Sequence, residues 1–198
     1  GTPIEKIMPV RFDIPQRKVL PQGALVLIMH SCELPRGNYW AELVACKAVD
    51  TISSLDYIGV LAYAWNRAES WQVPLQLARN KEAIKRRIRQ MEIGDMPEFG
   101  PTMELAYKAL MSVPASQRHI IIISDGDPTP PPASLLGRLR RARITCSTVG
   151  IGYGVHVVER TLQDIARRTR GRFYACKDPT RLPQISVSYT HLRAHETS

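Results

Sequence analysis

A doubly wound α/β domain is the fold this sequence predicts, with a mostly parallel sheet covered by helices on both faces. Three observations carry that expectation. Ala24 to Met29 (ALVLIM) is wholly apolar and His119 to Ser124 (HIIIIS) nearly so, which suits strands buried on both sides better than strands with one wet face. Each run stops abruptly at polar side chains: His30, Ser31, Cys32 and Glu33 after the first, Ser124, Asp125, Gly126 and Asp127 around the end of the second. Strand-like and helix-like segments alternate along the rest of the chain, which implies right-handed crossovers. In open α/β sheets the ligand crevice lies beyond the carboxyl ends of the strands, so the two polar clusters mark where a site belongs.

The elements follow in order. Residues 1–22, with Pro3, Pro9, Pro15 and Pro21 and little periodicity, read as an extended lead-in. After the first strand, Leu34 to Gly37 is a turn, and Asn38 is placed to cap a helix from Tyr39 to about Ser53 whose stripe is Trp40, Leu43, Val44, Ala48 and Ile52. Tyr57 to Trp65 is a second buried strand. Ser70 to Leu77 alternates and contains Pro74, which suits an edge strand. Lys81 to Met91 is a basic helix with Ile84 and Ile88 inward, and Glu92 to Pro101 (EIGDMPEFGP) is a loop. Thr102 to Val113 is a helix through Met103, Ala106, Tyr107 and Leu110. Beyond His119 to Ser124, the proline loop Pro128 to Pro132 precedes a helix at Ala133 to Arg143, a strand at Ile144 to Gly150, a helix at Val158 to Thr169 and a last strand at Arg172 to Cys176.

With 198 residues and 44% hydrophobic content the chain can bury one sizeable core, expected over residues 23–185. The stretch 186–198 (SVSYTHLRAHETS) continues no core pattern and resembles translated adaptor or vector read-through, so His191 and His195 carry no functional weight. No run reaches the roughly 18 apolar residues of a membrane span, and no signal peptide pattern opens the chain, so this segment is expected to be soluble and monomeric as an isolated domain.

Four cysteines, Cys32, Cys46, Cys146 and Cys176, are widely spaced with no CxxC pair, and mostly sit in apolar segments; buried thiols in a reducing compartment are the reading. The net charge of +9 is concentrated in Lys81 to Arg89, Arg138 to Arg143 and Arg167 to Arg172. These lie on three separate helices with few aromatics, so solvated helix faces are expected and a nucleic-acid partner is not.

Taken together, ALVLIMHSCE, the FGPT loop, HIIIISDGDP, ITCSTVGIG and GRFYACKDPTRLPQI resemble a von Willebrand factor type A domain from Gly23 to Ile185. The resemblance implies strand order 3-2-1-4-5-6 with one antiparallel edge strand. More narrowly, MHSCELPRGNYW, GDMPEFG and SDGDPTPP resemble a bacterial subgroup in which such a domain sits in a large membrane-anchored protein, sometimes beside a glutamine amidotransferase-like domain. The side of the membrane is not implied.

The family's metal-ion-dependent adhesion site uses a DxSxS loop, a later threonine and a later aspartate, donors that suit Mg²⁺. By resemblance Ser31 matches the first serine, Thr102 the threonine and Asp125 the later aspartate. Met29 falls where the leading aspartate belongs and Glu33 where the second serine belongs, so the site is degenerate: a thioether is a poor ligand for a hard cation, though Glu33 could restore one carboxylate. No cofactor is expected, Mg²⁺ being the one ion the resemblance allows.

Other chemistries are weaker in the residues themselves. Cys32 beside His30 and Glu33 invites a thiol nucleophile, but three neighbours in one loop rarely point at one another. Ser124 and Asp125 lack the further acids of phosphoryl transfer, Asp95 and Asp127 being the only nearby candidates. Gly150 to Gly154 (GIGYG) lacks the GxGxxG spacing of a dinucleotide cradle. The expectation is therefore a non-enzymatic protein-interaction module whose binding rim is Met29 to Arg36, Gly94 to Thr102 and Asp125 to Pro132. Within it Met29, His30, Cys32, Asp95 and Asp127 are candidate contact residues, and Ser31, Glu33, Thr102 and Asp125 the metal-equivalent positions. The alternatives are Mg²⁺-dependent binding of a carboxylate ligand, and a hydrolase or transferase using Cys32 or a metal-activated water.

Overall fold

The computed structural model describes residues 22–30, 37–64, 68–92, 94–151 and 159–176. Strand β1 (Gly23–Met29) lies at the centre of a six-stranded sheet. It is followed by α1 (Gly37–Thr51), β2 (Tyr57–Ala64), β3 (Ala68–Leu77), α2 (Lys81–Arg89), α3 (Phe99–Met111), β4 (Gln117–Ser124), α4 (Ala133–Arg141), β5 (Ile144–Ile151), α5 (Glu159–Arg168) and β6 (Phe173–Cys176). The order is β3-β2-β1-β4-β5-β6, and every pairing is parallel except that of the edge strand β3 with β2. This is the fold class the alternating pattern implies.

Strand parity divides the core in two. Leu25, Leu27 and Met29 point to the face covered by α1 and α2, against Val44, Ala45, Ala48, Ile84 and Ile88. Ala24, Val26 and Ile28 point to the face covered by α3, α4 and α5, against Phe99, Met103, Leu135, Leu139, Leu162 and Ile165. Every residue of β1 is buried, as its unbroken apolar run requires. Its start is fixed by buried Asp56, whose carboxylate accepts the N–H of Gly23 at 2.9 Å and that of Ser53 at 3.0 Å.

Several boundaries differ from those read in the sequence. Helix α3 begins at Phe99, inside the expected loop, because Pro101 falls in its first turn, where the missing N–H has no intrahelical partner to lose. Helix α1 already contains Asn38, expected as its cap. Asn80 does cap α2, its side chain accepting the Ala83 N–H at 3.0 Å. Strand β2 shifts register against β3 around Gly59, where the Trp71 ring lies so close that a Cβ would approach within 2.6 Å of it.

The basic segments lie on opposite faces of the sheet, α2 on one and α4 and α5 on the other, with Arg86, Arg87, Arg89, Arg140, Arg141, Arg167 and Arg168 exposed. The lead-in up to residue 21, the stretch Ser31 to Arg36, most of the GIGYG segment and everything beyond Cys176, including the expected tail, lie outside the described residues.

Candidate functional site

Three segments meet at the carboxyl ends of β1 and β4. His30 follows β1 directly, its N–H donating to the Ile123 carbonyl at 3.0 Å, so the strand pairing continues to the edge of the site. Residues 94–98 precede α3, and residues 125–132 join β4 to α4. The last two segments are zipped together: the Phe99 N–H donates to the Thr129 carbonyl at 3.1 Å, and the Thr129 N–H to the Pro97 carbonyl at 3.0 Å. The Gly94 N–H donates to the Tyr63 carbonyl at 2.8 Å, tying the rim to β2. Prolines 128 and 130–132 restrict the chain further.

His30 is the hub. Its side chain is fully buried, with Nδ1 3.0 Å from Ser124 Oγ and 3.2 Å from Asp125 Oδ1. On the other side of the ring, Nε2 lies 3.1 Å from Asp95 Oδ1 and 3.6 Å from Asp127 Oδ1. Asp125 is buried, whereas the side chains of Asp95 and Asp127 are 47% and 42% exposed. Gly126, at φ 91°, turns the chain between the two aspartates and donates its N–H to Ser124 Oγ at 2.9 Å, a conformation that favours glycine.

Burial opposes charge on the His30 ring, but the hydrogen bonds to Asp125 and Asp95 and the charges of Asp125 and Asp127 outweigh it and raise its pKa above the ordinary histidine value. Asp127 is pushed up to about 6, first by burial and then by the negative charge of Asp125. The carboxylates thus raise both groups, with burial the larger cause at Asp127 and an opposing one at His30.

The sequence placed His30, Asp95, Asp125 and Asp127 on this rim, and the fold brings their side chains together. Met29 is a correction: it is fully buried among Ile123, Val149 and the α1 side of the core, because an odd position on β1 faces away from the carboxylates. Thr102 is also fully buried, and its hydroxyl donates to the thioether of Met96 at 3.4 Å. Met96, which the sequence reading did not single out, is buried. Ser31, Cys32 and Glu33 lie outside the described residues.

The family's Mg²⁺ can be tested against these positions. Such an ion needs hard oxygen donors around one point. Here the leading position is a methionine turned into the core, the threonine hydroxyl is spent on a thioether, and the aspartate faces an imidazole. His30, Asp125 and Asp127 do bring one ligand atom each within 4.8 Å of one another. Each ring nitrogen, however, is already engaged, Nε2 by Asp95 at 3.1 Å and Nδ1 by Ser124 at 3.0 Å and Asp125 at 3.2 Å. The described residues do not fit the ion.

Comparison with known proteins agrees with the architecture. No curated protein matches the chain. An aerotolerance-related membrane protein from Bacteroides fragilis aligns over 88% of this chain and 99% of its own, with TM-score 0.70 and 14% identity. A von Willebrand factor type A protein from Catenulispora acidiphila aligns over 86% of this chain and 42% of its own, with TM-score 0.71 and 21% identity. Proximal thread matrix protein 1 from the mussel byssus, solved with a zinc-occupied adhesion motif, aligns over 85% of this chain and 45% of its own, with TM-score 0.66 and 17% identity. At these identities the likenesses concern the fold alone. The family itself matches residues 45–187, well over half of the chain. This chain belongs to the von Willebrand factor type A domain family.

Proposed function

We propose that this domain is a non-enzymatic protein-interaction and scaffolding module that binds its partner through the rim of residues 94–102 and 125–132 around His30. The observation that carries the reading is the rim itself: two loops bridged at Glu98 and Thr129, stiffened by prolines, and carrying half-exposed carboxylates at Asp95 and Asp127. A surface ordered before binding loses little conformational entropy on association. Its exposed charge is acidic in a chain of net charge +9, so a partner segment bearing Lys or Arg complements it.

Chemistry at this rim has less support. His30 is buried and both of its nitrogens face acceptors, an arrangement that structures loops and offers no base to a thiol. Among the described cysteines, Cys46 and Cys146 are buried, and burial raises the pKa of both thiols. Nucleic-acid binding is disfavoured by the split of the basic residues between opposite faces.

The Bacteroides fragilis protein is described as a membrane protein, which supports a membrane-associated bacterial parent for this domain. Among the described residues no helix is long and apolar enough to cross a membrane. The test is capture of partners from the host's membranes with the tagged chain, comparing wild type with Asp95→Lys/Asp127→Lys and with Lys108→Glu on the exposed side of α3. Binding lost only in the rim variant supports the reading, and Cys32→Ala is expected to bind like wild type. Loss on Lys108→Glu with the rim variant unaffected would refute it.

A further inference from the structure

We propose that the imidazole of His30 stands in this domain where its family places a divalent ion, holding Asp95, Asp125 and Asp127 together as an internal cation. The ring sets Nε2 at hydrogen-bond distance, 3.1 Å, from Asp95 and Nδ1 at ion-pair distance, 3.2 Å, from Asp125, and a carboxylate on each side of one buried ring is the surrounding that the imidazolium form satisfies. The ring is fully buried between the ends of β1 and β4, the place where the family's first-loop and later aspartates would share a metal.

Ser124 completes the cradle. Its hydroxyl accepts the Gly126 N–H and lies 3.0 Å from Nδ1, fixing the ring plane and the Asp125 loop at once. The remaining excess of negative charge sits on Asp95 and Asp127, the two half-exposed members, where water solvates it. The rim therefore presents carboxylates to a partner in place of an open metal vertex. This extends the reading of the rim as an interaction surface and can fail without it, since a partner can engage these loops whatever holds the carboxylates.

The experiment is thermal unfolding of the full 198-residue chain in EDTA and in Mg²⁺, Mn²⁺ or Zn²⁺ chloride, for wild type, His30→Ala and His30→Ala/Asp125→Asn. Wild type is expected to melt at the same temperature in EDTA and in each metal. The His30→Ala variant should melt lower by roughly 4 °C or more in EDTA. It should recover with at least one of the three ions along a saturating curve, and the double variant should not. Saturable stabilisation of wild type by any of the three ions would overturn the proposal, as would a folded His30→Ala variant indifferent to all of them. Should His30→Ala fail to fold, the ¹⁵N spectrum of the wild-type His30 ring at pH 7 decides: two protonated nitrogens uphold the internal cation, and one protonated nitrogen rejects it.

Discussion

Asp125 and Thr102 hold equivalent standing in the family's metal site, yet their surroundings here assign them different weights. Asp125 is buried against the His30 ring, and removing one partner of a buried charged pair strands the other; Asp125→Ala should cost about 3 kcal/mol, read as a lower midpoint in urea. Thr102 donates only to a thioether, a weak acceptor, so Thr102→Val should cost about 1 kcal/mol or less in the same measurement. Equal losses at the two positions would contradict this account. At this scale His30, Asp125 and Asp127 stand out in the sequence because chemically capable side chains follow apolar strands, and their side chains do lie together. Sequence reading could not see that His30 meets residues 65 and 94 positions away, which is a property of sheet order. The burial of Met29 was readable in principle: it continues the alternation of Leu25 and Leu27.

At the scale of elements, the strands announced themselves because runs such as IIII have no polar face to place in water, whereas helix ends depend on local details that compete. Phe99 to Pro101 looks like a loop by composition, but proline is acceptable in a first helical turn, and α3 accordingly starts three residues before the expected Thr102. The junction of α5 with the sheet is equally local. Thr169 ends α5 by donating its hydroxyl to the Ile165 carbonyl at 2.8 Å and accepting the Cys146 N–H at 3.2 Å. Gly171 then passes so close to β5 that a Cβ would lie 1.9 Å from the Cys146 carbonyl oxygen. Backbone cannot move aside as a flexible side chain can, so Gly171→Ala should destabilise by about 3 kcal/mol or more. A melting temperature within a degree or so of wild type would show that the α5–β5 contact is looser than described. Arg138 of α4 pairs with Glu104 and stacks over Tyr107, joining α3 to α4.

Across the whole molecule, the pH dependence of stability is set by groups that pull in opposite directions. His119, buried against Thr145 Oγ1 at 2.6 Å, has its pKa lowered by burial to about 4. The unfolded chain therefore binds more protons than the folded one between about pH 6.5 and 4, and stability is lost as pH falls through that window. The loss is on the order of 3 kcal/mol. Asp127, raised to about 6, works the other way, holding its proton in the folded state where the unfolded chain has released it. Comparing His119→Gln with wild type isolates the first effect: the variant should lose less stability than wild type between pH 6.5 and 4, and parallel curves would assign the acid sensitivity elsewhere. The architecture itself was legible from alternation and apolar runs, since right-handed crossovers leave few ways to arrange such a chain. What the rim binds was not, because a binding surface is defined by another molecule as much as by this one. The most direct measurement is therefore partner capture from membranes with the Asp95→Lys/Asp127→Lys chain beside wild type and Lys108→Glu. Our account predicts that the rim variant alone, although folded, loses the partner; a rim variant that keeps it while Lys108→Glu loses it would place the interface on a helical face and contradict the account.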